Sequence, residues 1–257
     1  MFIHPSAIVS PKAQIGKDCY IGPYSIIGDE VTLGDSVRLD SHVVIDGHTL
    51  IGDETHVYPF TSIGLDSPDL KYKGEPSETR IGRRNRIREA VTIHRGTEGG
   101  GMLTQIGDDC LLMAQSHVAH DCIIGDGVIM ANAATLGGHV LVDNGANVGA
   151  YSGVHQFCRI GREAYIGGYS VVVKDAMPFA LTVGNHAKCY GLNKVGMERR
   201  GYPKETIESL NRAFRFLLSS KLNTSQALEK IKEEIKNCQE VDLLVNFIET
   251  SERGVVK

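Results

Sequence analysis

A chain of 257 residues with 27 basic and 31 acidic side chains carries a net charge of -4, which gives no electrostatic case for binding nucleic acid. It is long enough to bury a sizeable core, lacks tryptophan, and has 29 glycines against 8 prolines, a balance that favours many tight corners. No run approaches the ~18 apolar residues of a membrane helix, and Met1 to Ser6 lacks the basic and apolar regions of a signal peptide, so a soluble cytoplasmic protein with no transmembrane segment is expected.

From Ile3 to Ile63 an aliphatic residue recurs every six positions. The run resumes in phase at Ile81, Ile87 and Ile93, shifts by one, and continues from Ile106 to Val172. All 26 positions are Ile, Leu, Val or Met, types that make up about a quarter of ordinary sequence, so chance does not supply the pattern. Two positions earlier, from Ala13 to Ser170, stands a small residue: Ala, Ser, Thr, Cys, Val or Asn. One large and one small residue per six therefore point inward. This period fits a short strand that turns a corner, with three hexads closing one coil about 4.8 Å from the next. The expected fold is a parallel β-helix of nearly nine coils, residues 1–185, whose ladder of aliphatic side chains fills the axis. Glycine commonly follows the aliphatic residue (Gly16, Gly22, Gly28, Gly34, Gly52, Gly64), where a corner is expected to use its freedom in φ and ψ.

The register places Cys19, Cys110, Cys122 and Cys158 in the small inward slot as reduced core residues, leaving Cys189 and Cys238 unplaced. No structural zinc site is expected. Two stretches leave the repeat: Gly64 to Arg80, read as replacing about one coil of hexads, and the glycine-rich Gly96 to Thr104. Long loops on a compact scaffold often carry function. The basic cluster Arg83, Arg84, Arg86 and Arg88 offers a local surface for an acidic partner.

Past Val172 the hexads fail, and a small α-helical domain, residues 186–257, is expected to cap the open end of the solenoid. One helix follows Pro203, with Ile207, Leu210, Phe214, Leu217 and Leu218 on one face. A second begins near Thr224 or Ser225, and a third uses Val241, Leu244, Val245 and Ile248.

Residues eighteen apart stack in such a coil. His120, Gly138 and Gln156 each lie two positions after a core aliphatic and form one column. Asp121 and His139 stand one position further along, with His117 and His155 nearby. From Gly127 to Cys158 the only charged residue is Asp143, so these faces are expected to pack against another subunit, most simply in a cyclic trimer with sites between subunits. Three readings of the histidines compete: hydrogen-bonded surface residues (His94, His155 and His186 individually), zinc ligands as in carbonic anhydrases built on the same repeat, and a general base. In the last, His120 removes a hydroxyl proton while Asp121 steadies the cation that forms, and the Gly138 N–H can meet an oxyanion.

The hexads together with Asp69-Leu-Lys-Tyr-Lys-Gly-Glu-Pro76, Ile93-His-Arg-Gly-Thr97, His117-Val-Ala-His-Asp-Cys122, His155-Gln-Phe-Cys158, Gly184-Asn-His186 and Arg199-Arg-Gly201 resemble the UDP-N-acetylglucosamine O-acyltransferase family of lipid A biosynthesis, nearly end to end. The resemblance implies a left-handed parallel β-helix, a homotrimer, and transfer of an (R)-3-hydroxyacyl group from acyl carrier protein to the sugar 3-hydroxyl of UDP-N-acetylglucosamine. No cofactor is implied beyond the donor's phosphopantetheine arm. It makes His120 the general base, Asp121 its partner and Gly138 the oxyanion donor. Asp69, Lys71, His117, His139, His155 and Gln156 become sugar and phosphate contacts. His94 and His186 fall within its motifs and join the substrate-binding set. Asn193, Arg199 and Arg200 become contacts to the nucleotide end, and Gly168 marks the end of the acyl pocket. Val195 departs from the glutamate found in some members. The nearest rivals are another hexad transferase, either the N-acyltransferase of the same pathway, which usually carries a further N-terminal domain, or a coenzyme A-dependent acetyltransferase.

Overall fold

A computed structural model describes residues 1–219 and 221–257. Among these, the hexads form strands of two to four residues that stack into three sheets. We name the faces A, B and C in chain order, beginning with Phe2–Ile3, Ile8–Val9 and Gln14–Ile15. Faces B and C are wholly parallel, with nine and eight strands, and face A has eleven. The last two strands of face A, Ala180–Val183 and Lys188–Leu192, form an antiparallel hairpin. The expected division at 185/186 falls inside that hairpin.

Register explains the composition. Ile3 pairs with Ile21 and Ile21 with Leu39, so one aliphatic ladder runs up each face, buried from Ile21 to Val172. Ile3 is 38% exposed because the first coil has no neighbour beneath it. The small inward residues have a second duty. The Ser25 hydroxyl and the Cys19, Cys110 and Cys122 thiols donate to the corner carbonyls of Asp40, Gly34, Gly125 and Gly137, fifteen residues on in each case. Ser, Thr and Cys suit this slot because a corner carbonyl facing the core needs a compact donor.

Two expectations are corrected. Of the six glycines that follow an aliphatic residue, only Gly64 has positive φ. The left-handed corner residue lies three positions before the aliphatic one and is usually not glycine, as at Tyr24, His42, Asp121 and His139. The glycines serve close approach instead: an added Cβ on Gly52 would lie 2.7 Å from the backbone of Gly82. The Gly64 to Arg80 stretch also replaces no coil. Ile51 pairs with Ile81 and Val57 with Ile87, so twelve extra residues protrude between one strand on face B and the next on face C. The second stretch adds seven, pairing Ile81 with Ile106.

Beyond Met177 a second core joins the helices. The short α1 (Lys194–Arg199) was not anticipated. The helix expected after Pro203 is α2 (Lys204–Leu218), burying Ile207, Leu210, Phe214 and Leu217. α3 (Thr224–Glu234) starts where Asn223 and Gln226 form a capping box, and α4 (Gln239–Glu249) buries Val241, Leu244, Val245 and Ile248. The C-terminal tail then returns to the solenoid, where Val255 bridges Asp175 and Val256 enters the coil core.

Candidate active site

The chemistry gathers at corner BC, where each coil passes from face B to face C. Strand His117–Val118 on face B feeds this corner, and its aliphatic register turns His120 outward. His120 Nδ1 lies 2.8 Å from Asp121 Oδ2, and the two side chains are 12% and 0% exposed. Asp121 takes the left-handed corner position with φ 60, a conformation Asp adopts more readily than most residues.

The seven-residue insertion completes the pair. Thr97 donates to both Asp121 oxygens, from its N–H to Oδ1 at 2.8 Å and from its hydroxyl to Oδ2 at 2.6 Å. The Asp121 N–H donates to the Thr104 hydroxyl at 2.8 Å, whereas His139 and Phe157, one and two coils on, donate to backbone carbonyls at the equivalent position. Thr97 and Thr104 were not found from sequence. Thr104 occupied a core slot and Thr97 sat in a loop, so no periodic signal marked either.

Gly138 stacks above His120, and an added Cβ there would fall 2.6 Å from Nε2. Glycine at this position therefore makes room for the imidazole. His139 stands 5.0 Å from the His120 ring, edge to face, stacks on Phe157 at 4.3 Å, and has its pKa lowered by burial. His117 bonds the Thr92 hydroxyl at 2.7 Å, and burial pushes its pKa down to about 4. His94 lies beside it and is held by the Asp66 carbonyl at 2.8 Å.

The twelve-residue insertion folds over the same corner. Arg95 fastens it through the Gly64 carbonyl, the Tyr72 hydroxyl and Asp66. Asp69 and Lys71 thereby share a cleft of about 560 Å³ with Thr97, His139 and Phe157. His155 and Gln156 stand on the next coil, His155 Nδ1 lying 2.9 Å from the Gln156 carbonyl.

The remaining expected contacts lie elsewhere on the chain. Gly168 is at corner AB beside Ala150. Asn193, Arg199 and Arg200 line a separate cavity of about 470 Å³ with Gly145, Glu163 and the exposed Val195. Two of these already have internal duties: the Asn193 side chain caps α1, and Arg200 pairs with Glu163 at 2.7 Å. His186 lines a third cavity with Lys174 and Lys188. The basic cluster is largely neutralised, with Arg84 bonded to Asp109 and Arg88 to Glu89.

His120, Asp121 and His139 offer ligand atoms within 4.8 Å of one another. Asp121 nevertheless spends both oxygens on Thr97 and one of them on His120 as well. A carboxylate so engaged orients an imidazole better than it binds a metal.

The chain is similar to known proteins over its whole length. Residues 175–256 match the family described as UDP N-acetylglucosamine O-acyltransferase, domain 2, and residues 103–138 match the bacterial transferase hexapeptide repeats. A protein of Anaeromyxobacter sp. named acyl-[acyl-carrier-protein]--UDP-N-acetylglucosamine O-acyltransferase is 44% identical over 257 residues, 100% of both chains. One of the same name from Myxococcus xanthus is 46% identical over 206 residues, 80% of each. The solved structure of LpxA from Acinetobacter baumannii superposes with a TM-score of 0.96 at 44% identity, covering 99% of each chain. That of UDP-N-acetylglucosamine O-acyltransferase from Moraxella catarrhalis does so with 0.96 at 42%, covering 100% of each. This likeness bears out the left-handed β-helix implied by the sequence motifs. The chain belongs to the UDP-N-acetylglucosamine O-acyltransferase family.

Proposed function

We propose that the chain transfers an (R)-3-hydroxyacyl group from acyl carrier protein to the glucosamine 3-hydroxyl of UDP-N-acetylglucosamine, the first step of lipid A synthesis, in the cytoplasm. The observation that carries this reading is the His120–Asp121–Thr97 chain at corner BC. With Nδ1–H donated to a buried carboxylate, the neutral imidazole keeps its lone pair on Nε2, which lies against Gly138. Nε2 takes the proton of the sugar hydroxyl as its oxygen attacks the thioester carbonyl. The tetrahedral oxyanion meets the Gly138 N–H, and the imidazolium returns the proton to the departing phosphopantetheine sulfur. The reaction needs no cofactor beyond that arm.

Assembly as a homotrimer is part of the same proposal and is supported by where the expected contacts lie. Gly168 and Asn193 lie away from corner BC in one chain, and a threefold arrangement can set one protomer's corner against another's face. The exposed apolar side chains Leu141, Tyr151 and Phe157 within the charge-poor stretch fit such a covered surface. No helix among the described residues is long and apolar enough to cross a membrane. The test is an acyl-transfer assay with UDP-N-acetylglucosamine and acyl carrier proteins of graded chain length. Product formation supports the reading; transfer only to an amine acceptor, or only from acetyl coenzyme A, overturns it.

A further inference from the structure

A cavity beside corner BC contains a cation that the mechanism does not use. Arg253 comes from the C-terminal tail, yet lines a space of about 680 Å³ together with Asp121, His139, Phe157 and Arg159. His139 and Phe157 line both this space and the Asp69 and Lys71 cleft, so the two are adjacent.

The two arginines of this cavity are not equivalent. Arg159 is fully engaged: its Nε meets Asp175 at 3.0 Å, its Nη atoms donate to Thr250 and the Phe247 carbonyl, and its guanidinium lies 4.2 Å from the Phe247 ring centroid. Arg253 has no ion pair among the described residues. Its Nη2 makes two long contacts of 3.3 Å, to His155 Nδ1 and the Val173 carbonyl. Its Nε is buried with no partner in hydrogen-bond geometry, and the guanidinium makes a weaker interaction with the neighbouring Cys158 sulfur. A guanidinium offers five N–H donors, and among the described residues none of them meets a carboxylate. The tail that carries it is firmly held, because Ser251 bonds Asp175 at 2.8 Å, Gly254 accepts from the Asp175 N–H at 3.0 Å and the Val256 N–H donates to Asp175 at 2.8 Å. A partly buried cation on a fixed support, unpaired beside the reacting corner, is arranged to receive an anion.

We propose that Arg253 binds a phosphate group of a substrate while that substrate's reacting end lies at His120. This rests on the acyl-transfer reading, whose donor and acceptor both carry phosphate. The variants R253M, which keeps the apolar stem, and R253K are compared with the full-length wild type in steady-state kinetics with each substrate varied. Thermal stability is measured in parallel, with and without inorganic pyrophosphate and UDP. The expected result is a rise in one KM by about tenfold to a hundredfold, the range for one charge-assisted hydrogen bond. R253K restores part of it, and the KM of R253M depends less on salt. A change confined to the sugar nucleotide identifies its diphosphate as the ligand, and one confined to acyl carrier protein identifies the phosphopantetheine phosphate. Unchanged KM values for both substrates, including where only melting temperature falls, overturn the proposal. A wild type without transferase activity overturns the acyl-transfer reading instead. In that case loss of pyrophosphate-induced stabilisation in R253M upholds anion binding, and equal stabilisation of both proteins overturns it.

Discussion

Two corners of the same prism use one register slot in opposite ways. At corner CA, where face C passes to face A, the residue two positions after the core aliphatic is an acceptor in five of eight coils: Asp35, Asp53, Asp108, Asp126 and Asn144. Each of these accepts the backbone N–H of the slot one coil below, at 2.7–2.8 Å. At corner BC the slot holds His120, Gly138 and Gln156, and no such ladder joins them. A repeat that closes its corners with side-chain acceptors builds a spine. Where those acceptors are withheld, the corner is left with an imidazole, an unfilled space and backbone groups that a ligand can meet. Stability and function are thus divided between edges of one scaffold, and the division can be tested from either side.

The largest expected effect is at the functional edge. His120→Ala should lower turnover by about a hundred- to ten-thousand-fold, with the melting temperature almost unchanged. Appreciable residual activity would remove His120 from the role of base. A pair of glycine substitutions then separates the corners. Gly138→Ala drives a Cβ into the His120 ring, 2.6 Å from Nε2, and should cost about a hundredfold in kcat with little loss of stability. Gly52→Ala drives one into the backbone of Gly82 and should cost about 1–3 kcal/mol of stability, leaving kcat of the folded protein intact. If the two exchange phenotypes, the division fails.

A smaller effect concerns pH. His117 is held neutral by burial, with a pKa of about 4 against about 6.5 when unfolded. The unfolded chain therefore binds the proton first, so stability is complete above about pH 6.5 and falls as pH drops towards 4. Partial solvent access limits the loss to about 1–2 kcal/mol. Melting curves of the wild type and His117→Gln should converge over that window; parallel curves would contradict the assignment. The smallest effect belongs to the spine: Asp126→Ala removes the acceptor of the Asp108 N–H and should cost about 0.5–1 kcal/mol, a few degrees in melting temperature, with activity unchanged.

The sequence made the periodic part legible. Aliphatic and small slots, the thiols in the core and the column of His120 with Gly138 all follow from counting in sixes, because a stacked coil converts spacing into contact. The parts that escaped depend on departures from the period. Thr97 reaches Asp121 only because seven extra residues fold back over the corner, and no local signal foretells that path. Arg253 meets His155 across 98 residues. The corner glycines were read for φ, whereas their reason is the close approach of the next coil, which only stacking reveals. Asn193 and Arg200, which the motifs assign to ligand contacts, also cap α1 and pair with Glu163 at corner CA.

The buried thiols have a use beyond packing. Cys19, Cys110, Cys122 and Cys158 sit at successive heights along the solenoid, and burial raises the pKa of each, up to about 12 at Cys122. An alkylating reagent needs the thiolate and access, so none of the four reacts until its own coil opens. The order in which they become labelled would record where along the axis the helix unwinds first, with the molecule supplying its own gauge.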